Sequence, residues 1–254
     1  MLKVAWSAGH GRNTPGKRSP DDEREWSFNN KVVMAAMSYL SRYEDVQQLR
    51  LDDPSGKTDI PLIARTDRAN SWKADIYISC HHNALQGTWG NHSGIETYVF
   101  NLENTMSLKL AKAVHPFVVQ AMGIADRGIK RANFHELRET RMPAVLIEGG
   151  FMDSRIDIKK LRDDRFLRAQ GEGIAKGLVK FFDLESEDSK PIEGVRYLKP
   201  STNTLKNELI KRLQWATDEG ILTDPKWVLL AQENKLSIDD AVCLLATIDN
   251  RNRV

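Results

Sequence analysis

Short apolar runs rich in β-branched or aromatic residues recur along the first part of the chain and predict five β-strands. We place these strands at Leu2 to Ser7, Val46 to Leu51, Asp75 to Cys80, Ile95 to Phe100 and Ala144 to Glu148. Between them, apolar residues recur at helical spacing in stretches around residues 28–39, 108–118 and 174–181. Strands that alternate with helices predict a layered α/β domain rather than a helical bundle or an all-β sandwich.

A charged, proline-containing passage from residue 184 to residue 194 interrupts this pattern and is typical of a linker. We therefore predict a large domain over residues 1–184, a linker over 185–194 and a small helical domain over 195–254. Two apolar stripes at helical spacing support the small domain. The first stripe is Leu205, Leu209, Leu213 and Ala216, and the second is Ile238, Ala241, Val242 and Leu245.

Composition and charge exclude several classes of protein. The 37 lysines and arginines exceed the 35 acidic residues by only 2, so a nucleic-acid partner is not expected. No stretch approaches the roughly 20 apolar residues of a membrane-spanning helix, so membrane insertion is not expected either. The apolar run at the start of the chain is too short for a secretory signal, and we expect synthesis in the cytoplasm without a signal peptide.

Four separated residues form the strongest candidate site: His10, Glu25, His81 and Glu148. His10 and His81 follow predicted strands, Glu148 ends one, and Glu25 opens a predicted helix, so all four fall where α/β sheets commonly bind ligands. A catalytic zinc site needs about three nitrogen or oxygen ligands, and a further carboxylate can move protons. The two cysteines, Cys80 and Cys243, lie too far apart to form a paired metal motif. The spacing alone is suggestive of zinc chemistry and assigns no roles.

The residues around these positions form six motifs in a familiar order. They are Ser7-Ala-Gly-His10-Gly, Glu25-Trp-Ser-Phe-Asn29, the stretch from Asp59 to Asn70, the stretch from Ala74 to Ala84, Gly94-Ile-Glu-Thr-Tyr98, and Met142-Pro-Ala-Val-Leu-Ile-Glu148-Gly-Gly-Phe151. From about Val4 to Phe182 the chain resembles the zinc-dependent N-acetylmuramoyl-L-alanine amidases shared by bacterial autolysins and phage endolysins.

The resemblance implies a fold, a reaction and a role for each candidate residue. The fold would be a twisted, mostly parallel sheet flanked by helices. His10, Glu25 and His81 would bind one Zn²⁺ ion, and Glu148 would be the catalytic carboxylate. The enzyme would cut the amide bond between N-acetylmuramic acid and L-alanine in peptidoglycan. The chain departs from the usual family pattern at His82 and at Gly149, and neither change removes a required group.

Weaker candidates surround these four residues. His82, Asn83 and Trp89 are candidate substrate contacts, although His82 is expected to point to the opposite face of its strand and Trp89 is equally suited to core packing. We expect Trp26 to pack, and Arg65 and Asn70 to tie a helix to the sheet. Three other histidines have no motif support as ligands and are expected at the surface or in packing: His92, His115 and His135.

The small C-terminal domain weakly resembles helical wall-associated modules of some lysins. We expect it to bind the cell wall, with a dimerisation or stabilising cap as the alternative. The expected absence of a signal peptide favours a phage lysin, which would reach the wall through lesions made by a separate holin. Two other functions stay open: a zinc peptidase that cuts within the stem peptide, and a peptidoglycan-binding protein without catalytic activity.

Overall fold

The computed structural model describes residues 1–103, 105–184, 198, 200–222, 224 and 226–251. The chain forms two compact units, Met1–Glu187 and Asp188–Val254, each with its own apolar cluster. The expected linker over residues 185–194 lies outside the described residues.

A single six-stranded sheet forms the centre of the first unit. Its strands are β1 (Leu2–Ala8), β2 (Val46–Arg50), β3 (Ile76–Asn83), β4 (Ile95–Val99), β5 (Asp126–Arg131) and β6 (Ala144–Phe151). They lie in the order β2-β1-β3-β6-β4-β5, and all neighbours are parallel except β4 and β6. The carboxyl ends of β1, β3 and β6 therefore meet at one edge of the sheet, next to the amino end of β4.

The sequence pattern missed one strand and shortened two others. β5 was not predicted, because its sequence Asp-Arg-Gly-Ile-Lys-Arg is mostly polar. β5 is an edge strand, paired with a neighbour on one side only, and edge strands often carry charged residues. β3 extends to Asn83 and β6 to Phe151, so His81 and Glu148 lie within strands rather than after or at their ends. Both additions contain polar or glycine residues that an apolar pattern does not include.

Among the described residues of the first unit, six helices cover the sheet: α1 (Glu25–Leu40), α2 (Leu62–Trp72), α3 (Met106–Met122), α4 (His135–Arg138), α5 (Ile158–Leu161) and α6 (Asp164–Phe182). α6 packs against both α1 and α3 over the larger apolar cluster, which includes Trp6, Ile78 and Ile147. α2 packs against α4 on the other face, over a smaller cluster that contains Tyr77 and Leu146. The expectation of a mostly parallel sheet flanked by helices is confirmed.

The second unit consists, in its described residues, of α7 (Asn203–Asp218), α8 (Lys226–Gln232) and α9 (Ile238–Arg251). The helices enclose a small apolar cluster that includes Leu213, Leu236 and Ile248. The side chain of Ser237 accepts a hydrogen bond from the backbone N–H of Asp240 at 2.9 Å, which caps the last helix. In the part of the chain that the structure describes, no helix is both long enough and apolar enough to cross a bilayer.

Candidate metal centre

The turn that follows β1 brings His10 to the edge of the sheet beside the end of β3. His10 has a left-handed backbone conformation with φ of 65°, which few residues other than glycine adopt. Gly9 lies against the His81 ring so closely that a Cβ there would be 2.1 Å from the ring carbon Cε1. Glycine at position 9 is therefore required for the two histidines to approach, and their ring centroids are 5.0 Å apart.

Glu25 is the first residue of α1, and its carboxylate is buried between the two histidines. One oxygen, Oε1, lies 3.0 Å from His81 Nδ1, and the other lies 3.4 Å from His10 Nε2. Asn29, one helical turn later, donates from its side-chain amide to Glu25 Oε1 at 3.3 Å and to the Gly9 carbonyl at 3.1 Å. The first turn of α1 thus holds the carboxylate against the end of β1.

His10, Glu25 and His81 converge as the sequence predicts: each offers one ligand atom, and these atoms all lie within 4.8 Å of one another. Two imidazoles and one carboxylate form a donor set that catalytic zinc sites use, with a fourth position left for water or substrate. The buried side-chain atoms His81 Nε2 and Glu148 Oε2 have no hydrogen-bond partner. Buried polar atoms are rarely left unpaired, so Glu148 Oε2 marks a place for a further group. His81 Nε2 faces the Glu136 carboxylate instead, 3.6 Å away.

The three converging side chains strongly change one another's pKa values in the metal-free protein. Burial lowers the pKa of His10 to about 4, which leaves its imidazole neutral near pH 7. Burial opposes the charge of Glu25, but the hydrogen bond and positive charge of His81 outweigh it and lower the Glu25 pKa to about 2. Burial also opposes the charge of His81, yet the Glu136 and Glu25 carboxylates raise its pKa to about 10. A metal cation that binds here would therefore displace a proton from His81.

Glu148 lies directly beside His81, because the two residues are partners in the parallel register of β3 and β6. Burial raises the pKa of the Glu148 carboxyl to about 8. Glu148, His81 and Glu25 share the lining of a cavity of about 270 Å³. The cavity is large enough for part of a substrate, and its wall also includes Lys17 and Arg18 from the loop before α1.

His82 points away from His81 into the interface between the sheet and α1 and α6. It is 1% exposed, its Nδ1 lies 2.7 Å from Asn29 Oδ1, and its Nε2 lies 3.3 Å from Gln170 Oε1. The position of Gln170 favours glycine at position 149, because a Cβ there would be 1.9 Å from the Gln170 amide nitrogen. The two departures from the family pattern are therefore parts of one buried network that supports Asn29, and through it Glu25.

Asn83 and Trp89 lie in different surroundings. Asn83 lines the cavity, and its amide donates to Glu96 Oε2 at 3.2 Å. Glu96 is held in turn by Arg127 and Lys130, each at 2.6 Å. Trp89 is partly buried against the core and is not among the residues that line the cavity.

Arg65 ties its helix to the sheet as expected, whereas Asn70 ties the helix to the segment between α4 and β6 and not to a strand. Arg65 is fully buried and donates to Ser7 Oγ at 2.9 Å and to the Ala8 carbonyl at 2.7 Å, which ties α2 to β1. Asn70 bonds the backbone of Glu139 and Arg141, at 2.9 Å in both cases. Trp26 is buried, and the three other histidines contact polar side chains away from the cluster: His92 with Asp153, His115 with Thr97 and Asp126, and His135 with Thr66.

The sequence analysis missed Glu136, a buried carboxylate at 3.6 Å from His81 Nε2. Its hydrogen-bond donors, Ser7, Tyr77 and Ser79, are polar residues inside apolar strands. Positions 77, 79 and 81 share one face of β3, and Ser7 is the register partner of Ser79. These hydroxyl groups inside apolar strands were the available signal in the sequence. They indicated that a buried polar side chain from elsewhere in the chain accepts their hydrogen bonds.

Comparison with known proteins gives a consistent result for the first unit. A family model described as N-acetylmuramoyl-L-alanine amidase matches residues 4–180. A sporulation-specific N-acetylmuramoyl-L-alanine amidase of Bacillus subtilis is 33% identical over 196 residues, which cover 77% of this chain and 74% of that protein. The endolysin of Bacillus phage SPP1 is 33% identical over 220 residues, which cover 83% of this chain and 77% of the endolysin.

Solved structures with this fold include two amidases. The catalytic domain of CwlV, an N-acetylmuramoyl-L-alanine amidase from Bacillus (Paenibacillus) polymyxa var. colistinus, superposes with a TM-score of 0.66 at 30% identity. The match covers 73% of this chain and all of that domain. An N-acetylmuramoyl-L-alanine amidase from Clostridium difficile 630 gives the same TM-score at 32% identity, over 72% of this chain and 97% of that structure.

Proposed function

The chain belongs to the N-acetylmuramoyl-L-alanine amidase family and is a peptidoglycan hydrolase, and on that premise we propose the metal and the residues with which it cuts its substrate. His10, Glu25 and His81 bind one zinc ion, and Glu148 transfers protons during hydrolysis of the amide between N-acetylmuramic acid and L-alanine. The observation that carries this proposal is the convergence of three ligand atoms beside a buried, unpartnered carboxylate oxygen.

The chemistry divides between the metal and Glu148. Zinc in such a site supplies Lewis acidity, which polarises a carbonyl oxygen and makes water more acidic. Glu148 accepts the proton of the attacking water and returns it to the departing L-alanine nitrogen. Burial raises the pKa of Glu148 in the metal-free protein, and the positive charge of a metal ion in the site would lower it again, which would let the carboxylate accept a proton.

The rigid surroundings of Glu148 support this role. Its backbone is paired on both sides, with His81 of β3 and with Glu96 of β4. A carboxylate that moves a proton must stay within hydrogen-bond reach of the water, and a strand between two others holds it there. We propose Asn83 as a substrate contact at the cavity wall, where Glu96 fixes its amide. The packing of His82 supports a positioning role for it.

Glu148→Gln tests the assignment directly. The variant keeps the size of the side chain and loses the proton acceptor. We therefore expect bound zinc and the thermal stability of the zinc-loaded protein to be retained while wall lysis falls by roughly a thousandfold. Zinc content by metal analysis and loss of turbidity of a wall suspension measure the two effects. A Glu148→Gln enzyme that still clears the suspension at the wild-type rate contradicts the proposal.

Mass spectrometry of the digested wall separates the amidase from a peptidase. The amidase releases peptides with a free L-alanine amino terminus and leaves the glycan strand without them. A peptidase that cuts within the stem leaves the bond to N-acetylmuramic acid whole. Products that all retain this bond would exclude the proposed cleavage, and a wall left intact by zinc-loaded protein would favour a role in binding alone.

For the second unit we propose binding to the cell wall. The similarity to the SPP1 endolysin covers 83% of the chain, more than the 187 residues of the first unit, so part of the second unit shares in the resemblance to a lysin. The described surface of α7 exposes Trp215, next to a cavity of about 510 Å³ that also includes Leu209 and Leu245. A tethered wall-binding unit would raise the effective concentration of enzyme at its polymer.

Removal of the residues after Gly194 tests this role. The whole of the CwlV catalytic domain matches 73% of this chain. The shortened protein is therefore similar in length to a catalytic domain whose structure has been solved. We expect it to lose sedimentation with purified walls and to keep activity on soluble muropeptides. Unchanged sedimentation with a shift from dimer to monomer in light scattering supports the stabilising cap instead.

The similarity to the SPP1 endolysin also supports a proposal about how the protein reaches the wall. We propose that the protein acts as an endolysin that a separate holin releases to the wall, on the strength of its similarity to the phage SPP1 endolysin. Expression in a host cell with and without a holin tests this proposal. We expect lysis only with the holin, and lysis by the amidase alone would contradict the requirement.

A further inference from the structure

Glu136 places a second buried carboxylate beside the proposed metal centre, on the far side of His81 from Glu25. It lies in the single-turn helix α4 and is 3% exposed. One of its oxygens, Oε1, accepts hydrogen bonds from Ser7 Oγ at 2.7 Å and from the Tyr77 hydroxyl at 2.5 Å. The other, Oε2, accepts from Ser79 Oγ at 3.0 Å. Three hydroxyl donors from two strands therefore fix the position of this carboxylate.

The two ring nitrogens of His81 face two different carboxylates. Nδ1 lies on the side of the ligand cluster, 3.0 Å from Glu25 Oε1. Nε2 lies 3.6 Å from Glu136 Oε2, and it is buried without a hydrogen-bond partner. Three hydrogen bonds leave acceptor capacity on Glu136, because an ionised carboxylate offers about four lone-pair sites. A small movement of the ring toward Glu136 would close a hydrogen bond between Nε2 and Oε2.

A neutral imidazole that binds a metal through one nitrogen carries its proton on the other. In metal sites that proton is usually donated to a carboxylate, a carbonyl or water, which fixes the tautomer and the orientation of the ring. If Nδ1 of His81 faces the metal, the proton must be on Nε2 and point at Glu136. The carboxylate is anchored by groups other than His81, so it can hold the ring in place rather than follow it.

We propose that Glu136 is the positioning residue of the metal centre: its carboxylate accepts the Nε2 proton of His81 and so keeps Nδ1 free to bind the metal. This inference rests on the proposed function, because it takes His81 to be a ligand. It assigns to Glu136 an effect on metal affinity that is separate from its packing between α4 and the sheet.

Glu136→Gln in the full-length protein tests the proposal. The side chain keeps its shape, but its amide group can donate a hydrogen bond to Nε2, which favours the tautomer whose proton blocks Nδ1. We expect zinc affinity to fall by about 10- to 100-fold, as for other partners of metal-binding histidines. Competition with a chromophoric zinc chelator measures this affinity without reference to enzyme activity. Glu139→Gln, at an exposed position of the same segment, is the matched control and should bind zinc like the wild type.

A purely structural role predicts a different result. The melting temperature of the metal-free Glu136→Gln protein would fall, while zinc affinity of the folded protein stayed within twofold of the wild type. That outcome overturns the proposal. It is distinguishable from failure of the metal site itself, because His81→Ala abolishes high-affinity zinc binding if His81 is a ligand and leaves it unchanged if it is not.

Nuclear magnetic resonance keeps the proposal testable if Glu136→Gln does not fold. Long-range ¹H–¹⁵N spectra of the zinc-loaded wild type report which nitrogen of each histidine carries the proton. We expect His81 to carry it on Nε2. A spectrum that shows the proton on Nδ1 with zinc bound would reverse the assignment, and Glu136 would then have no proton to accept.

Discussion

The two units of this chain differ most in what they bury. Among the described residues, all the buried polar and charged side chains belong to the first unit, and several of them gather around His81. The second unit buries an apolar cluster alone and exposes Trp215 at its surface. Hydrolysis of an amide needs charged groups held in a fixed arrangement away from bulk water, whereas a unit that binds a polymer needs only a stable fold and an exposed face. Changes in the first unit should therefore have the larger effects.

The largest effect is expected from removal of a metal ligand. His10→Ala should lose most of its bound zinc and lower wall lysis by at least roughly a thousandfold, because the imidazole is one of the three proposed ligands. Metal analysis of the purified protein and a turbidity assay measure both effects. His135→Ala, which removes a histidine outside the cluster, should keep zinc and activity. Normal zinc content in the His10→Ala protein would refute the ligand assignment.

The next effect concerns the space between the two histidines. Gly9→Ala places a methyl group where the His81 ring lies, so the ring must move and zinc affinity should fall by about 10- to 100-fold. Gly173→Ala is the comparison, because its new methyl group meets Phe117 and Ala121 of α3, away from the proposed ligands. That variant should lose stability and keep its zinc affinity. Equal zinc affinities for both variants would show that the close approach at Gly9 has no part in metal binding.

A pH-dependent effect on stability follows from the burial of Glu148. In the metal-free protein its pKa is raised from 4.5 to about 8, so between these values the folded state binds a proton that the unfolded state has lost. The free energy of unfolding therefore falls as pH rises through this range, by on the order of a few kcal/mol. Glu148→Gln removes this loss, so its melting temperature should exceed that of the wild type more at pH 8 than at pH 5. A difference that is constant with pH contradicts the raised pKa.

The smallest effect is expected in the second unit. Trp215→Ala should weaken sedimentation with purified walls by a few-fold and leave activity on soluble muropeptides unchanged, since aromatic side chains contribute strongly to binding surfaces. Leu229→Ala changes another exposed apolar residue, on a different helix, and serves as the control. Equal sedimentation of both variants and the wild type would remove Trp215 from the proposed wall-binding surface.

The sequence predicted the features that repeat or match a motif. Five strands follow from apolar runs, and the four central site residues follow from residue types at strand ends and at a helix start. The resemblance to a family then gave each of these residues a role. β5 was not predicted, because a polar edge strand has no apolar pattern. Glu136 was not predicted as a site residue, because a single-turn helix has no periodic pattern. Its hydrogen-bond partners are distant in the sequence and come close only in the folded chain. Long-range polar contacts of this kind depend on how elements pack, which no local pattern records.

The loop between β3 and β4 is held at both of its ends by one side chain from the segment after β6. The Asp153 carboxylate accepts hydrogen bonds from three successive backbone N–H groups, those of Leu85, Gln86 and Gly87, at 2.8 to 2.9 Å. His92, near the other end of the loop, contacts the same carboxylate at 2.6 Å. Both ends of the loop therefore contact one side chain, which is not among the proposed metal ligands. Loss of the Asp153 carboxylate would therefore release both ends of the loop together, and with them Leu85 and Gly87 in the cavity wall, without the removal of a proposed metal ligand.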